Sequence, residues 1–171
     1  MGPVPQYHFG VYARILDLRI PDAQRILLVR KTRGPYTGLL DLPGGQPEPG
    51  ETWAQTLERE LYEELGVQPT ASPQLTASPQ LTASTGFAGF TASTGFTAST
   101  GFAEFSVHVE RSSAGELIDF HHRGVFADVP PPADPPNSHR SPDTAGAEWF
   151  DLRTGDSKRL SAAVRAVLGV R

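Results

Sequence analysis

The N-terminal part of the chain is built from short apolar runs separated by polar turns. Residues 9–18 and 25–31 read as two strands, and the Ile-Pro-Asp-Ala-Gln segment at 20–24 between them closes a hairpin. Gly34-Pro35 opens a loop that carries Tyr36 and Leu40. The period then changes. Ala54, Leu57, Leu61 and Leu65 recur at helical spacing, so residues 52–65 form an amphipathic helix with one apolar stripe. Thr52 with Gln55 three places on is a capping-box signature, and Gly66 stands where a left-handed C-terminal cap is wanted. Alternation returns at 105–110, where Phe105, Val107 and Val109 oppose Ser106, His108 and Glu110. A second strand spans 117–129, after a turn at Ser113-Ala114-Gly115. A Pro-rich loop at 130–142 leads to a short strand at 147–152. Asp156 or Ser157 caps a final helix with Leu160, Ala163, Val164, Val167 and Leu168 at core spacing. Strands, helix, strands, helix is the order expected of a mixed sheet covered by helices on both sides.

One tract breaks this pattern. Thr-Ala-Ser-Pro-Gln-Leu at 70–75 recurs at 76–81, and Thr-Ala-Ser-Thr-Gly-Phe at 82–87 recurs at 91–96 and 97–102. This low-complexity repeat reads as an expansion within a loop or strand pair, not as a solenoid. A period of six is even, so Phe90, Phe96 and Phe102 would share one face of an extended chain. Lining a substrate cleft and pairing with another subunit, as in a homodimer, are two roles it could serve.

The helix at 52–65 also carries the densest candidate chemistry. Glu60, Glu63 and Glu64 fall in one sector beside the leucine stripe. Like charges three and four apart on a helix repel, a cost that a cation would offset, and a hard divalent cation prefers oxygen ligands. Arg59 points elsewhere and can reach back to Glu51 as a charge-assisted pair. Just upstream, Leu42-Pro43-Gly44-Gly45 and Pro49-Gly50 form a tight loop whose glycines let backbone carbonyls approach a ligand closely. For three nearby glutamates alone, a solvated surface helix is the simpler reading. The full spacing decides against it.

Gly45, five residues, Glu51, seven residues, Arg59-Glu60-Leu61, one residue, Glu63-Glu64, one residue, Gly66-Val67 resembles the Nudix box with every fixed position filled. Chance would give that arrangement about once in 10⁸ positions or more rarely. The segments 9–13, 26–30 and 42–45 resemble the strands and loop that precede the box in that family, and Glu148-Trp149-Phe150 with a closing helix resembles its ending. Residues 70–105 do not match the family pattern, and Leu40 stands where relatives often carry an aromatic. The resemblance implies an α/β/α sandwich: one Nudix hydrolase domain over 1–171, with the hexapeptide repeat at 70–102 inserted into it. It also implies hydrolysis of a pyrophosphate bond in a nucleoside diphosphate linked to another moiety, with magnesium, or manganese in its place, as cofactor. Glu60 and Glu64 would be the main metal ligands, Glu63 a further ligand or the base, and Gly44 a carbonyl donor. Gly45, Glu51 and Arg59 would support the site.

Composition narrows the partners. The 171 residues include no cysteine, which excludes disulfides and thiolate metal sites. No run of 18 apolar residues occurs, and the first residues lack the charge and apolar stretch of a secretory signal, so a cytoplasmic protein that does not span a membrane is expected. A net charge of −4 argues against general nucleic-acid binding, and with it against a hydrolase of RNA 5′ ends. A small nucleotide is the expected partner. Positive charge is concentrated near the N-terminus, where Arg30, Lys31 or Arg33 could meet substrate phosphates, although the polar face of edge strands explains them more simply. Tyr36 could stack on a base; for Trp53, core packing is the simpler role. The general base stays open among Glu63, Glu116, Asp119, Asp134 and Glu148. His121 and His122, as strand neighbours, face opposite sides and cannot chelate together. A non-catalytic binding module is the competing function, but such modules typically lose box carboxylates that this chain keeps.

Overall fold

The computed structural model describes residues 2–17, 19, 24–67, 101–132 and 141–170. The repeat up to residue 100, Asp134 and most of the 20–24 turn lie outside the described residues. The elements are β1 (Pro5–Arg14), β2 (Leu16–Asp17), β3 (Arg25–Lys31), β4 (Leu40–Asp41), β5 (Gly44–Gly45), α1 (Trp53–Leu65), β6 (Ala103–Arg111), β7 (Leu117–Asp128), β8 (Thr144–Asp151) and α2 (Ala162–Leu168).

The strands form two four-stranded sheets where the sequence predicts one. The first has the order β5-β1-β7-β6, with β1 and β7 parallel and the other pairs antiparallel, so it is mixed. In the second, β3 pairs antiparallel with β2, β4 and β8. Two segments pass from one sheet to the other. The strand read over 9–18 breaks at Ile15: β1 stays in the first sheet, and β2 joins β3 as the expected hairpin. The other segment runs from β4 through Leu42-Pro43 to β5. Proline has no N–H to donate, so the ladder stops there. Pro43 still accepts a bond from Ala13 N–H (2.8 Å), and the chain re-pairs with β1 at Val11 and Tyr12.

Strand alternation sorts the core into two layers. Val11, Ala13, Ile15, Leu27, Val29, Val125 and Ala127 meet Leu57, Leu61 and Leu65 of α1. Tyr12, Ile26, Leu28, Phe120 and Phe126, one residue out of phase, meet Ala163, Val164, Val167 and Leu168 of α2. The result is a helix on either side of the sheets, as the order of elements requires.

Both ends of α1 form as the sequence predicts. Thr52 accepts from Gln55 N–H while the Gln55 side chain accepts from Thr52 N–H, and Gly66 is left-handed at φ 67°. The C-terminal helix differs. Asp156 caps only a 3-10 turn, Ser157–Arg159, and Ser161 caps α2 by accepting from Val164 N–H. Ser161 also donates to buried Asp41 (2.6 Å), and its own N–H bonds Leu40 O (2.8 Å), so the start of α2 is fixed by β4, which local sequence cannot show.

Candidate active site

The Gly44-Gly45 turn and the acidic edge of α1 share a cleft of about 450 Å³. Glu60, Glu63, Glu64, Arg59, Gly44, Gly45 and the 46–49 loop line it, together with His8, Tyr12, Lys31 and Ser141-Pro142-Asp143. The three glutamates therefore share one cavity, at graded depth. Glu64 is 2% exposed, whereas the Glu63 side chain is 45% exposed.

Backbone shape makes room for them. Gly44 has φ 141°, and a Cβ there would strike the Val11 carbonyl oxygen and Tyr12. A Cβ on Gly45 would collide with the Glu60 carboxylate. Glycine is required at Gly44 by conformation and backbone contact together; at Gly45 a side chain would push the Glu60 carboxylate aside. Gly44 N–H donates to Glu64 Oε2 (2.9 Å).

A second layer holds the helix to the preceding loop. Arg59 donates from Nε and Nη2 to the two oxygens of Glu51 (2.7 and 3.0 Å), and also to Gln46 O (3.0 Å) and Glu60 Oε1 (2.8 Å). Glu51 accepts further from Glu48 N–H (2.9 Å) and Thr56 Oγ1 (3.0 Å). The Arg59 bonds, chiefly, hold the Glu51 carboxyl down at about 2. The lining carboxylates move the other way. Burial, above all, raises Glu60, and it pushes Glu64 up to about 8, with Lys31 and the Gly44 N–H opposing. A buried carboxylate with one backbone donor, beside two others, is short of positive charge. An oxygen-only, acidic and partly desolvated donor set suits a hard divalent cation such as magnesium.

These features suffice to place the chain among known proteins. Residues 8–166 match the family model described as NUDIX domain. The chain belongs to the Nudix family. A 54-residue stretch is 42% identical to the ADP-ribose pyrophosphatase of Methanocaldococcus jannaschii, and that alignment spans 32% of this chain and 32% of the relative. Among solved structures, the Nudix fold here is similar to a MutT NUDIX hydrolase from Burkholderia pseudomallei (21% identity, 96% of this chain, 97% of that one, TM-score 0.55). It is also similar to the NUDIX domain of Shewanella oneidensis NrtR complexed with ADP ribose (16%, 98% and 86%, 0.54). A third similar structure is a bifunctional NMN adenylyltransferase/ADP ribose pyrophosphatase from Francisella tularensis complexed with AMP and a manganese ion (20%, 98% and 42%, 0.55).

The residues read as candidate substrate contacts fall differently. Tyr36 is not in the cleft; it is 6% exposed in the α2-side core, with its hydroxyl 3.1 Å from His122 Nδ1. Arg30 lies outside the cleft lining and is bonded to Glu148 Oε2 (2.8 Å) and Gly38 O (3.1 Å). Arg33 pairs with Asp143 at the cleft margin. Of Arg30, Lys31 and Arg33, the one that lines the cleft is Lys31, because adjacent residues on β3 point to opposite faces and Arg30 takes the other one. Of the described candidates for the base, only Glu63 lines the cleft. Glu148 instead holds Arg30 and Arg159 at the second sheet.

His8 and Tyr12 were not legible as site residues. Tyr12 looks apolar in a strand, yet its hydroxyl joins His8 Nε2 (3.1 Å) to His122 Nε2 (2.8 Å), the start of a buried polar chain that ends at Tyr36. Only the parallel pairing of β1 with β7, which sets His8 beside His122, reveals it.

Proposed function

We propose that this Nudix protein is a divalent-metal-dependent hydrolase of the pyrophosphate bond in a nucleoside diphosphate derivative. The observation that carries the reading is the convergence of Glu60, Glu63 and Glu64 with the Gly44-Gly45 backbone in one nucleotide-sized cleft. The partial similarity to an ADP-ribose pyrophosphatase makes ADP-ribose the first substrate to test.

Glu60 and Glu64 are the ligands we assign to magnesium, with Glu63 and the Gly44 carbonyl as further ligands; manganese suits the same oxygens. Magnesium there would neutralise the diphosphate and activate water for attack on phosphorus. The protein's own groups account for the rest. The Arg59–Glu51 pair keeps α1 fixed against the loop, so the acids do not splay apart under mutual repulsion. Lys31 lines the same cleft and offers its ammonium to the substrate phosphates. Glu63 is the most open of the three acids and can take a proton from the attacking water. Glu64 is placed to bind a cation rather than to move a proton, since its carboxylate is buried and held by Gly44 N–H.

Phosphate-containing products from ADP-ribose and a panel of nucleoside diphosphate derivatives, with millimolar Mg²⁺, test the proposal. Wild type should turn over at least one of them, while Glu63→Gln and Glu64→Gln should lose about a hundredfold or more in kcat. Equal inertness of all three proteins on every substrate would leave a nucleotide-binding module as the function.

A further inference from the structure

We propose a second metal site, for a borderline transition-metal ion of the Zn²⁺ class, on the open face of the first sheet at His108, Asp119 and His121. None of the three lines the carboxylate cleft. His108 of β6 and His121 of β7 are direct cross-strand partners, and Asp119 stands two residues before His121 on the same face. Their polar atoms converge. His108 Nε2 is 2.8 Å and His121 Nε2 is 3.0 Å from the same oxygen, Asp119 Oδ1. One donor atom from each residue lies within 4.8 Å of the others.

Magnitudes favour an ion. With Zn–N and Zn–O near 2.0–2.1 Å, neighbouring tetrahedral ligands stand about 3.3 Å apart. The two nitrogens need retreat from the shared oxygen by about half an ångström, and approach each other from a spacing within 4.8 Å, to admit a metal in place of the protons they direct at Asp119. The rings are already held. The His108 and His121 rings stack at 4.4 Å with planes 7° apart, and Tyr7 stacks on the His121 ring at 4.9 Å. His121 is thus sandwiched between two rings on strands of one sheet; because stacked rings aim their nitrogens along parallel lines, one imidazole turns out of the stack for both to reach one ion. All three side chains are partly exposed, which gives an ion access from solvent and leaves open positions for water.

The chemistry separates this site from the cleft. Two imidazoles and one carboxylate suit zinc, nickel or copper, whereas an oxygen-only site suits magnesium. The titration is run in excess Mg²⁺, and because Zn²⁺ can still enter the cleft beside His8, the imidazole resonances assign the site. Zn²⁺ is added to the chelator-stripped full chain at pH 7.5 in millimolar Mg²⁺ and followed by calorimetry, with side-chain ¹⁵N spectra of the imidazoles in parallel. One equivalent should bind, shifting the Nε2 resonances of His108 and His121 and leaving those of His8 and His122 in place. His108→Ala and His121→Ala should each weaken binding at least tenfold, and Asp119→Asn by a similar factor. Unchanged Zn²⁺ affinity in the His108→Ala and His121→Ala variants would overturn the site, as would imidazole shifts confined to His8 and His122.

Discussion

Two residues, Glu64 and Gly44, show how the cleft trades stability for chemistry. Glu64 is buried with its carboxyl raised to about 8. Between an ordinary carboxyl pKa and 8, the folded state therefore holds a proton that the unfolded state has released. Stability of the metal-free protein consequently falls as pH rises through that window. A glutamine there cannot titrate and keeps an oxygen for Gly44 N–H. In chelator at pH 8.5, Glu64→Gln should melt above wild type by thermal denaturation, while its turnover with Mg²⁺ collapses; the gain and the loss come from one side chain. Gly44 is the opposite case. Its φ and the nearness of Val11 O leave no place for a methyl group. Gly44→Ala should lower the unfolding free energy by about 2 kcal/mol or more in urea titrations, and a wild-type midpoint would contradict that contact.

At the scale of elements, the attachment of α1 matters more than its existence. The capping box is local, and Thr52→Ala should cost about 1 kcal/mol in chemical denaturation with kcat nearly unchanged, since Thr52 does not line the cleft. Arg59 does a different job. Its fork meets both Glu51 oxygens and the Gln46 carbonyl at once, which the single ammonium of lysine cannot reproduce. Arg59→Lys should keep the charge and the fold but lower kcat by about tenfold or more, because the acids lose their fixed distance from the Gly44-Gly45 turn. Steady-state kinetics with a parallel melting curve separates this from simple unfolding.

Across the whole molecule, the polar chain from His8 through Tyr12 and His122 to Tyr36 spans from the cleft into the α2-side core. Burial first, then His8 and Lys31, pulls His122 down to about 3, and burial with Lys31 lowers His8. The folded state keeps these imidazoles neutral where the unfolded chain would protonate them. Their contribution to stability is therefore complete above about pH 6.5 and declines as pH falls, for His122 until about pH 3, with a slope of up to about 1.4 kcal/mol per pH unit for each group. Glu64 acts with the opposite sign over the same range, so urea midpoints of the Glu64→Gln protein from pH 7.5 to 5.0 should show this decline. In that background His122→Phe should be less stable at neutral pH, because buried Tyr36 loses its His122 bond and Tyr12 keeps only His8, yet its midpoint should change less with pH.

The sequence by itself determined the parts whose cause is local or periodic. The α1 stripe, its two caps, the Arg59–Glu51 reach, β3 and the alternating strands β6 and β7 all follow from spacing, because side-chain direction in a helix or strand depends only on position along it. The family of the chain was legible for the same reason: the glutamates, arginine and glycines lie within one helix and the loop before it. Tertiary structure decided what depends on pairing between distant segments. Parallel pairing of β1 with β7 brought His8 and Tyr12 to His122. The face that β3 turns to the cleft chose Lys31 over Arg30, and the bonds of Ser161 to β4 moved the helix cap away from Asp156. Strand register is set by long-range packing, and a shift of one residue exchanges every inward side chain for its neighbour.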